Sequence, residues 1–440
     1  MIKKLILIIM ASVLFITGCQ AVKGVDLNKM ILNNSKITSS ESNTTVSLDL
    51  KYTKSKVKDK DYLKVLNLLD NAKVEIQTKM QNTSTVSLKG NLTLKKLGKI
   101  PFQLYMDKKQ VIILLDNAKK PIRISMDNSS TPNDELIKNL QTKLLAPVVK
   151  NLPNPFPAHL QVKNNITEKV HGVKVNGHKV QAAVYANELP KLLEIFLDNL
   201  LKDENSISEI INAINELSKS VGENTVITTD QFKSEIEQLK TEILPELKKP
   251  EYASMLSKKN NFKTEILLDK KFNERKSTSV LNIGSLTDAD GLTGVTLKFT
   301  NETWNINKKV KASKIKYSKY LKEDASPEQV LATLDKENSV LYSVMTSLIY
   351  EPSKALKASQ VKVINYKGKK DKITVKALKK GDLIKVYSNG GTLLAAKEAT
   401  GSTVSITVKQ LGKKSGKVYV SIIRSKQAES DRKSVAFKKE

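Results

Sequence analysis

The sequence predicts an α+β protein built on an antiparallel sheet, followed by a small all-β module. Three observations carry this expectation. Amphipathic strands recur in series, helical stripes are interposed between two groups of them, and the C-terminal fifth of the chain alternates short strands with Gly-rich turns. At roughly 100 to 200 residues per domain, 440 residues make two or three domains. The composition, 40% hydrophobic and 27% charged, is that of a folded chain. A net charge of +29 points to a polyanionic neighbour. A single Cys excludes an intramolecular disulfide and a Cys-cluster metal site.

The N-terminus reads as an address. M-I-K-K leads into an apolar run over 5–16, too short for a membrane span and followed at once by Thr17, Gly18 and Cys19. Ile16-Thr17-Gly18-Cys19 resembles a bacterial lipobox, with Ile where Leu is commonest and Thr where Ala or Ser is. The resemblance implies a signal peptide over 1–18 and a diacylglyceryl, palmitate-type anchor on Cys19, at the outer face of the cytoplasmic membrane. Two acyl chains, at about 0.8 kcal/mol per buried methylene, anchor a protein stably. The polar stretch 19–40 reads as a lipidated tether with one short helix around 27–32.

The large domain is expected over 41–350. V-S-L-D-L-K-Y has the period of a half-buried strand, and K-V-E-I-Q-T-K-M, T-V-S-L-K-G-N-L-T-L, P-F-Q-L-Y-M, V-I-I-L-L and P-I-R-I-S-M continue the series. Helices are predicted over 62–69, over 134–145 ending before Pro147, and over 189–201 with Asn187 as N-cap and Pro190 in the first turn. A helical hairpin is inserted over 206–256. One stripe is Ile207, Ile210, Ile211, Ile214 and Leu217. The other, Phe232, Ile236, Leu239 and Ile243, opens at Thr229 or Asp230 and closes before Pro245. F-K-T-E-I-L-L-D, S-T-S-V-L-N-I-G and G-V-T-L-K-F form a second group of strands, and one helix from Ser326-Pro327-Glu328 reaches to Pro352.

This order resembles the LolA-like and LppX-like superfamily of envelope lipoproteins and lipoprotein carriers over about residues 25–345. The residues behind the resemblance are V-H-G-V-K-V-N-G-H-K-V-Q-A-A-V-Y-A-N-E-L-P-K-L-L, an Asp-containing strand at Asp269, and Asn307-Lys308-Lys309 after F-T-N-E-T-W-N-I. The resemblance implies a curved sheet closed like a half-barrel over helices around an apolar cavity for acyl chains. Leu189, Leu192, Leu193, Phe196 and Leu200 then read either as a cavity wall or as packed core.

From 355 to 440, V-K-V-I-N-Y, K-I-T-V-K-A, L-I-K-V-Y-S, T-V-S-I-T-V, V-Y-V-S-I-I-R and S-V-A-F suggest a small β-sandwich. Its L-K-K-G-D-L-I-K-V-Y-S-N-G-G and Q-L-G-K-K-S-G-K-V-Y-V-S-I resemble the immunoglobulin-like accessory repeats of surface proteins in low-GC Gram-positive bacteria, a non-catalytic spacer or attachment module. From Ser353 onward, 22 Lys and Arg face 6 Asp and Glu. Lys367, Lys369, Lys370, Lys379, Lys380, Lys413, Lys414 and Lys417 fall in predicted turns that one end of a sandwich would gather. They read either as a solvated surface or as contacts to anionic wall polymers or lipid head groups.

Enzyme chemistry finds no purchase. No G-x-S-x-G, P-loop, H-E-x-x-H or G-x-G-x-x-G occurs, so no catalytic residue, metal or cofactor is expected. His171 and His178 flank a V-N-G sequence read as a hairpin turn and look like surface histidines. Asp288 and Asp290 in T-D-A-D-G read as a turn, and the single Trp304 as a packed residue. Nucleic-acid binding fits the charge but not the secretion signal. The expected function is a non-enzymatic, membrane-anchored lipoprotein that binds or shields a lipid-like amphiphile. The alternative is a surface scaffold or adhesion lipoprotein with a filled core.

Overall fold

In the computed structural model, residues 21–440 are described apart from 96, 127–133, 221–225, 287–289 and 440; the signal segment, Cys19 and Asp288 lie outside them. Helix α1 (Leu27–Ser35) leads into strand β1 (Ser40–Tyr52), helix α2 (Lys60–Leu69) and strands β2 (Lys73–Asn82), β3 (Thr85–Leu94), β4 (Gly98–Asp107), β5 (Gln110–Leu115) and β6 (Ile122–Ser125). Helix α3 (Asp134–Asn151), strands β7 (Leu160–Val170) and β8 (Val173–Tyr185), and helices α4 (Leu189–Lys202), α5 (Glu204–Ser220) and α6 (Thr229–Glu246) follow. Then come β9 (Asn261–Asp269), β10 (Glu274–Ile283), β11 (Leu292–Trp304), α7 (Pro327–Thr333) and α8 (Val340–Ile349). The last strands are β12 (Val361–Ile364), β13 (Asp371–Lys376), β14 (Leu383–Tyr387), β15 (Leu393–Glu398), β16 (Thr403–Val408), β17 (Gly416–Ile423) and β18 (Lys433–Phe437). The mixed α and β character expected from the periodicities is present, with a large antiparallel sheet that does not close on itself.

The chain divides into two compact units. One comprises Met126–Ser313 with the described part of Met1–Val86; the other comprises Ser87–Ser125 with Lys314–Glu440.

In the first unit seven strands run antiparallel in the order β2-β1-β11-β10-β9-β8-β7. Helices α1, α3, α4, α5 and α6 share a core with β7, β8 and the end of β9. The predicted stripes do this work: Ile207, Ile210, Ile211 and Ile214 of α5 and Phe232, Ile236 and Leu239 of α6 are all buried. Each such side chain contributes about 1.5 to 3 kcal/mol. The stretch read as tether is shorter than expected, because Val25, Leu27, Met30 and Ile31 join this core.

Two prolines expected to end helices do not. Pro147 sits inside α3 and Pro245 inside α6. An interior Pro costs about 3 kcal/mol. The turn after Pro147 buries Val148 and Val149, with Leu152 just beyond it, and together these outweigh that cost at about 1.5 to 3 kcal/mol each. The Asn151 amide also donates to the Pro147 carbonyl at 2.9 Å. The cap of α6 is Thr228, which exchanges bonds with Gln231 in a capping box. Asn187 does not cap α4. A short 3-10 turn, Ala186–Glu188, precedes that helix, and the Glu188 carboxylate accepts from the Tyr185 amide.

The hairpin between β7 and β8 turns at His171-Gly172, both at positive φ, and not at V-N-G. Gly177 lies inside β8, where it lets β9 approach: a Cβ there would sit 1.8 Å from the Leu268 carbonyl oxygen. An Asn-Gly pair thus serves strand packing, and the turn falls at the other glycine.

In the second unit β6-β5-β4-β3 form four consecutive antiparallel strands. The helix expected from Ser326 to Pro352 is broken in two. Asp335 accepts from the Glu337 and Asn338 amides, an Asx turn that competes with continued helix, and Ser339 caps α8. Buried Asp116 secures that cap, accepting from the Ser339 hydroxyl at 2.6 Å and the Leu341 amide at 2.8 Å.

The C-terminal strands form two small sheets, β12-β13-β16 and β15-β14-β17-β18. Ile373, Val375, Val404 and Ile406 of one share a core with Ile384, Val386, Val420 and Ile422 of the other. Strand β15, whose L-L-A-A-K-E lacks clean alternation, escapes the sequence reading. The opposite face of β14 is covered as well: Leu383, Lys385 and Tyr387 are buried. The Lys385 ammonium donates to Ser343 of α8, the Glu398 amide donates to Glu337 at 3.0 Å, and the Ser353 hydroxyl donates to the Ala428 carbonyl. These bonds tie α8, the loop before it and the segment after it to the small sheets. Burial pushes the Lys385 pKa down, opposed in part by Glu429.

Candidate ligand clefts

Helix α1 is short and mostly polar, yet its sequence fixes one face. Asp26 caps it through the Lys29 amide, and Leu27, Met30, Ile31 and Asn34 recur at helical spacing. That face lies over β8, β9 and β10, and a cleft of about 320 Å³ opens between them. From the sheet, Val180, Ala182, Phe262, Thr264, Ile266, Ser277 and Ser279 point into it, every second residue of each strand. The register places Ala182 beside Thr264 and Thr264 beside Ser279, whose hydroxyls bond at 2.8 Å. Small side chains leave the space: larger residues at Ala182, Ser277 and Ser279 would fill it. Its volume falls at the low end of the roughly 300 to 1,000 Å³ typical of small-molecule sites.

A second cleft, about 600 Å³ and polar, opens at the C-terminal end of α1. It brings together Lys36, Lys271, Arg275 and Lys308 with Asn33, Asn273, Asn305 and Asn307. Asp269 organises it. Its carboxylate accepts from the Lys271 and Asn273 amides at 2.9 and 3.0 Å and faces the Arg275 guanidinium at 3.5 Å. Arg275 stands at a register shift between Glu274 and Lys276, and its Nε donates to the Thr303 carbonyl. Asn307 accepts from the Thr38 amide and hydroxyl. The structure thus joins the Asp269 strand to Asn307-Lys308, two motifs that stand apart in sequence. Sequence reasoning missed this site because its cations come from three separate segments with no shared period.

The five residues predicted as a cavity wall line neither cleft. Leu192, Phe196 and Leu200 are buried in the helical core, Leu193 packs against it and Leu189 is half-buried. Packing claims them because α4 is flanked by α5 and α6. The other side of α4 borders a cleft of about 540 Å³ lined by Asn187, Pro190, Lys191 and Glu194.

All eight predicted lysines are exposed. Six gather at one end of the small sheets. Asp371, fully buried, accepts from the Tyr366 and Leu411 amides and so clips the loop of Lys367, Lys369 and Lys370 to that of Lys413 and Lys414, with Lys417 beginning β17 beside them. Lys409, Lys438 and Lys439 join that end. Lys379 and Lys380 do not. Their loop bonds to Ala399 and Ser402, at the other end of β16, about 20 Å away by strand length.

The histidines behave as side chains of the fold. His171 stacks on Trp304 with ring centroids 3.7 Å apart, leaving the indole half-buried, and His178 bonds to Asn164. Asp290 and Gly291 form the turn before β11. Among the described residues no cluster of three or more His, Cys, Asp or Glu is placed to hold a metal ion, and no helix is long and apolar enough to cross a membrane. Comparison with protein-family models and with curated protein sequences gives no match.

Proposed function

We propose that this chain is a non-enzymatic envelope lipoprotein, anchored through Cys19 at the outer face of the cytoplasmic membrane, whose first unit binds the apolar part of an amphiphile. The observation that carries the reading is the cleft beneath α1, where a face of alternating small and apolar side chains is left unfilled. The open antiparallel sheet under helices supports a LolA-like half-barrel. The two small sheets with a common core support an immunoglobulin-like sandwich whose lysine-rich end contacts anionic wall polymers or lipid head groups. Attraction there is long-range and falls as salt screens it.

The test uses the full chain carrying Cys19→Ala, which is expected to leave the membrane fraction. Purified without detergent and weighed by native mass spectrometry, it should carry a stoichiometric amphiphile. Ser277→Phe, which fills the cleft without removing a hydrogen bond, should abolish that added mass; Ser277→Leu is the milder version if folding suffers. An unliganded mass unmoved by added fatty acid would overturn the reading in favour of a surface scaffold with no small-molecule ligand.

A further inference from the structure

The two clefts at α1 are separated by a thin partition. Asn34 lines the apolar cleft and Asn33 the basic one; Glu274 lines the first and Arg275 the second. The same residues pin the partition in place. The Asn33 amide donates to the Lys271 carbonyl at 2.7 Å, and the Asn34 amide to Glu274 at 3.4 Å. We infer that the basic cleft receives the phosphate head of the amphiphile whose chain occupies the apolar cleft. This rests on the acyl-binding reading above and names the ligand class.

Charge is the first argument. Among the described residues, Lys36, Lys271 and Lys308 have no carboxylate within ion-pairing distance. Asp269, the acid lining the cleft, has committed its oxygens to the Lys271 and Asn273 amides and to the Asn273 side chain. It therefore shapes the site without neutralising the lysines. Lysines crowded round a cleft repel one another until an anion arrives, and a concave wall focuses their field. The C-terminus of α1 opposes anion binding with about half a negative charge. The Lys36 amide donates to the Asn33 carbonyl there and the Ile37 amide to the Asn34 carbonyl, and three further cations exceed that half charge. A cap for the helix dipole accounts for Lys36 but not for Lys271, Arg275 and Lys308.

Geometry is the second argument. Arg275 is held by its Nε bond to Thr303, and its 3.5 Å approach to Asp269 is too long for a strong pair, so the guanidinium retains donors for an oxyanion. Lysine ammonium groups around it supply point charges suited to phosphate.

The full Cys19→Ala chain is titrated with decyl phosphate below its micelle concentration, with 1-decanol and with inorganic phosphate. Decyl phosphate should bind about tenfold more tightly than decanol at low salt, the value of one charge-assisted hydrogen bond. The advantage should shrink in high salt and vanish in Lys36→Glu/Lys271→Glu/Lys308→Glu, while decanol binding, which reports the intact fold, stays unchanged. Equal affinities for decanol and decyl phosphate would overturn the head-group assignment and leave the apolar cleft standing. Inorganic phosphate that binds as well as decyl phosphate, and is lost in the triple variant, would overturn it in favour of a soluble anion. Failure of both decyl compounds would overturn the acyl-binding reading itself.

Discussion

Asp371→Ala tests whether the lysine-rich end of the small sheets is built or merely accumulated. Asp371 is the first residue of β13 and fully buried. One carboxylate oxygen accepts from the Tyr366 amide at 2.8 Å and the other from the Leu411 amide at 2.5 Å. Hydrogen bonds to a charged group are worth about 1.5 to 3 kcal/mol each, so losing both should cost about 3 kcal/mol or more. Asp371→Asn should recover less than half, since an amide keeps one acceptor and sets its NH2 against the other backbone N–H. Urea unfolding of the full chain, followed by far-UV circular dichroism, measures the loss. Trp304 belongs to the first unit, so its emission is expected to keep the wild-type midpoint. Exchange of the Tyr366 and Leu411 amides should accelerate, and added salt should restore part of the stability by screening the lysines. A cost under about 0.5 kcal/mol, the range of an ordinary surface change, would refute the view that this carboxylate organises the basic end.

Two further outcomes follow from single residues in the first unit. Asp203, between α4 and α5, accepts from Lys150 at 2.6 Å and from the Ser206 hydroxyl and amide at 2.8 and 3.2 Å, and these bonds hold its carboxyl well below the usual carboxylate range. A depressed carboxylate stabilises above its unfolded value of about 3.9 and loses that contribution as pH falls toward the folded value, so Asp203→Asn should cost about 1 kcal/mol at pH 7 and progressively less below pH 4, read from denaturation midpoints across pH. Gly177→Ala drives a Cβ against the Leu268 carbonyl, and, with a backbone atom in the way, thermal unfolding should show a loss near the upper end of about 1 to 3 kcal/mol; a neutral result would mean that β8 and β9 are not so closely apposed.

The sequence made the periodic parts of this molecule legible and hid the parts set by tertiary context. Stripes such as Ile207 to Ile214 and alternating strands such as T-V-S-L-K-G-N-L-T-L were found because a buried face repeats at the period of its element. Pro147 and Pro245 misled because the local penalty is visible in sequence, whereas the burial of Val148, Val149 and Leu244 that offsets it is not. Asn176-Gly177 misled for the converse reason: a turn signal was present, but close apposition to β9 had claimed the glycine. The apolar residues of α4 suggested a cavity, yet apolarity marks both walls and filled cores. The actual cleft follows from small side chains at Ala182, Ser277 and Ser279, and an absence of bulk has no signature in a linear pattern.

Charge shows the same limit in a different form. The surplus of 16 basic residues after Ser353 dominates any composition argument, and most of the lysines that create it stand on exposed turns. Such a surface attracts polyanions at long range, loses strength with salt and discriminates little between them. The four cations at the end of α1 are a small part of the total, but Arg275 is oriented by Thr303, and the partition of Asn33 and Asn34 sets them beside an apolar cleft. Specificity for a ligand requires such fixed placement, because discrimination comes from bonds that one partner makes and another leaves unpaired. On the proposed function, then, the abundant charge is assigned to long-range attraction and the scarce, positioned charge to selecting the ligand.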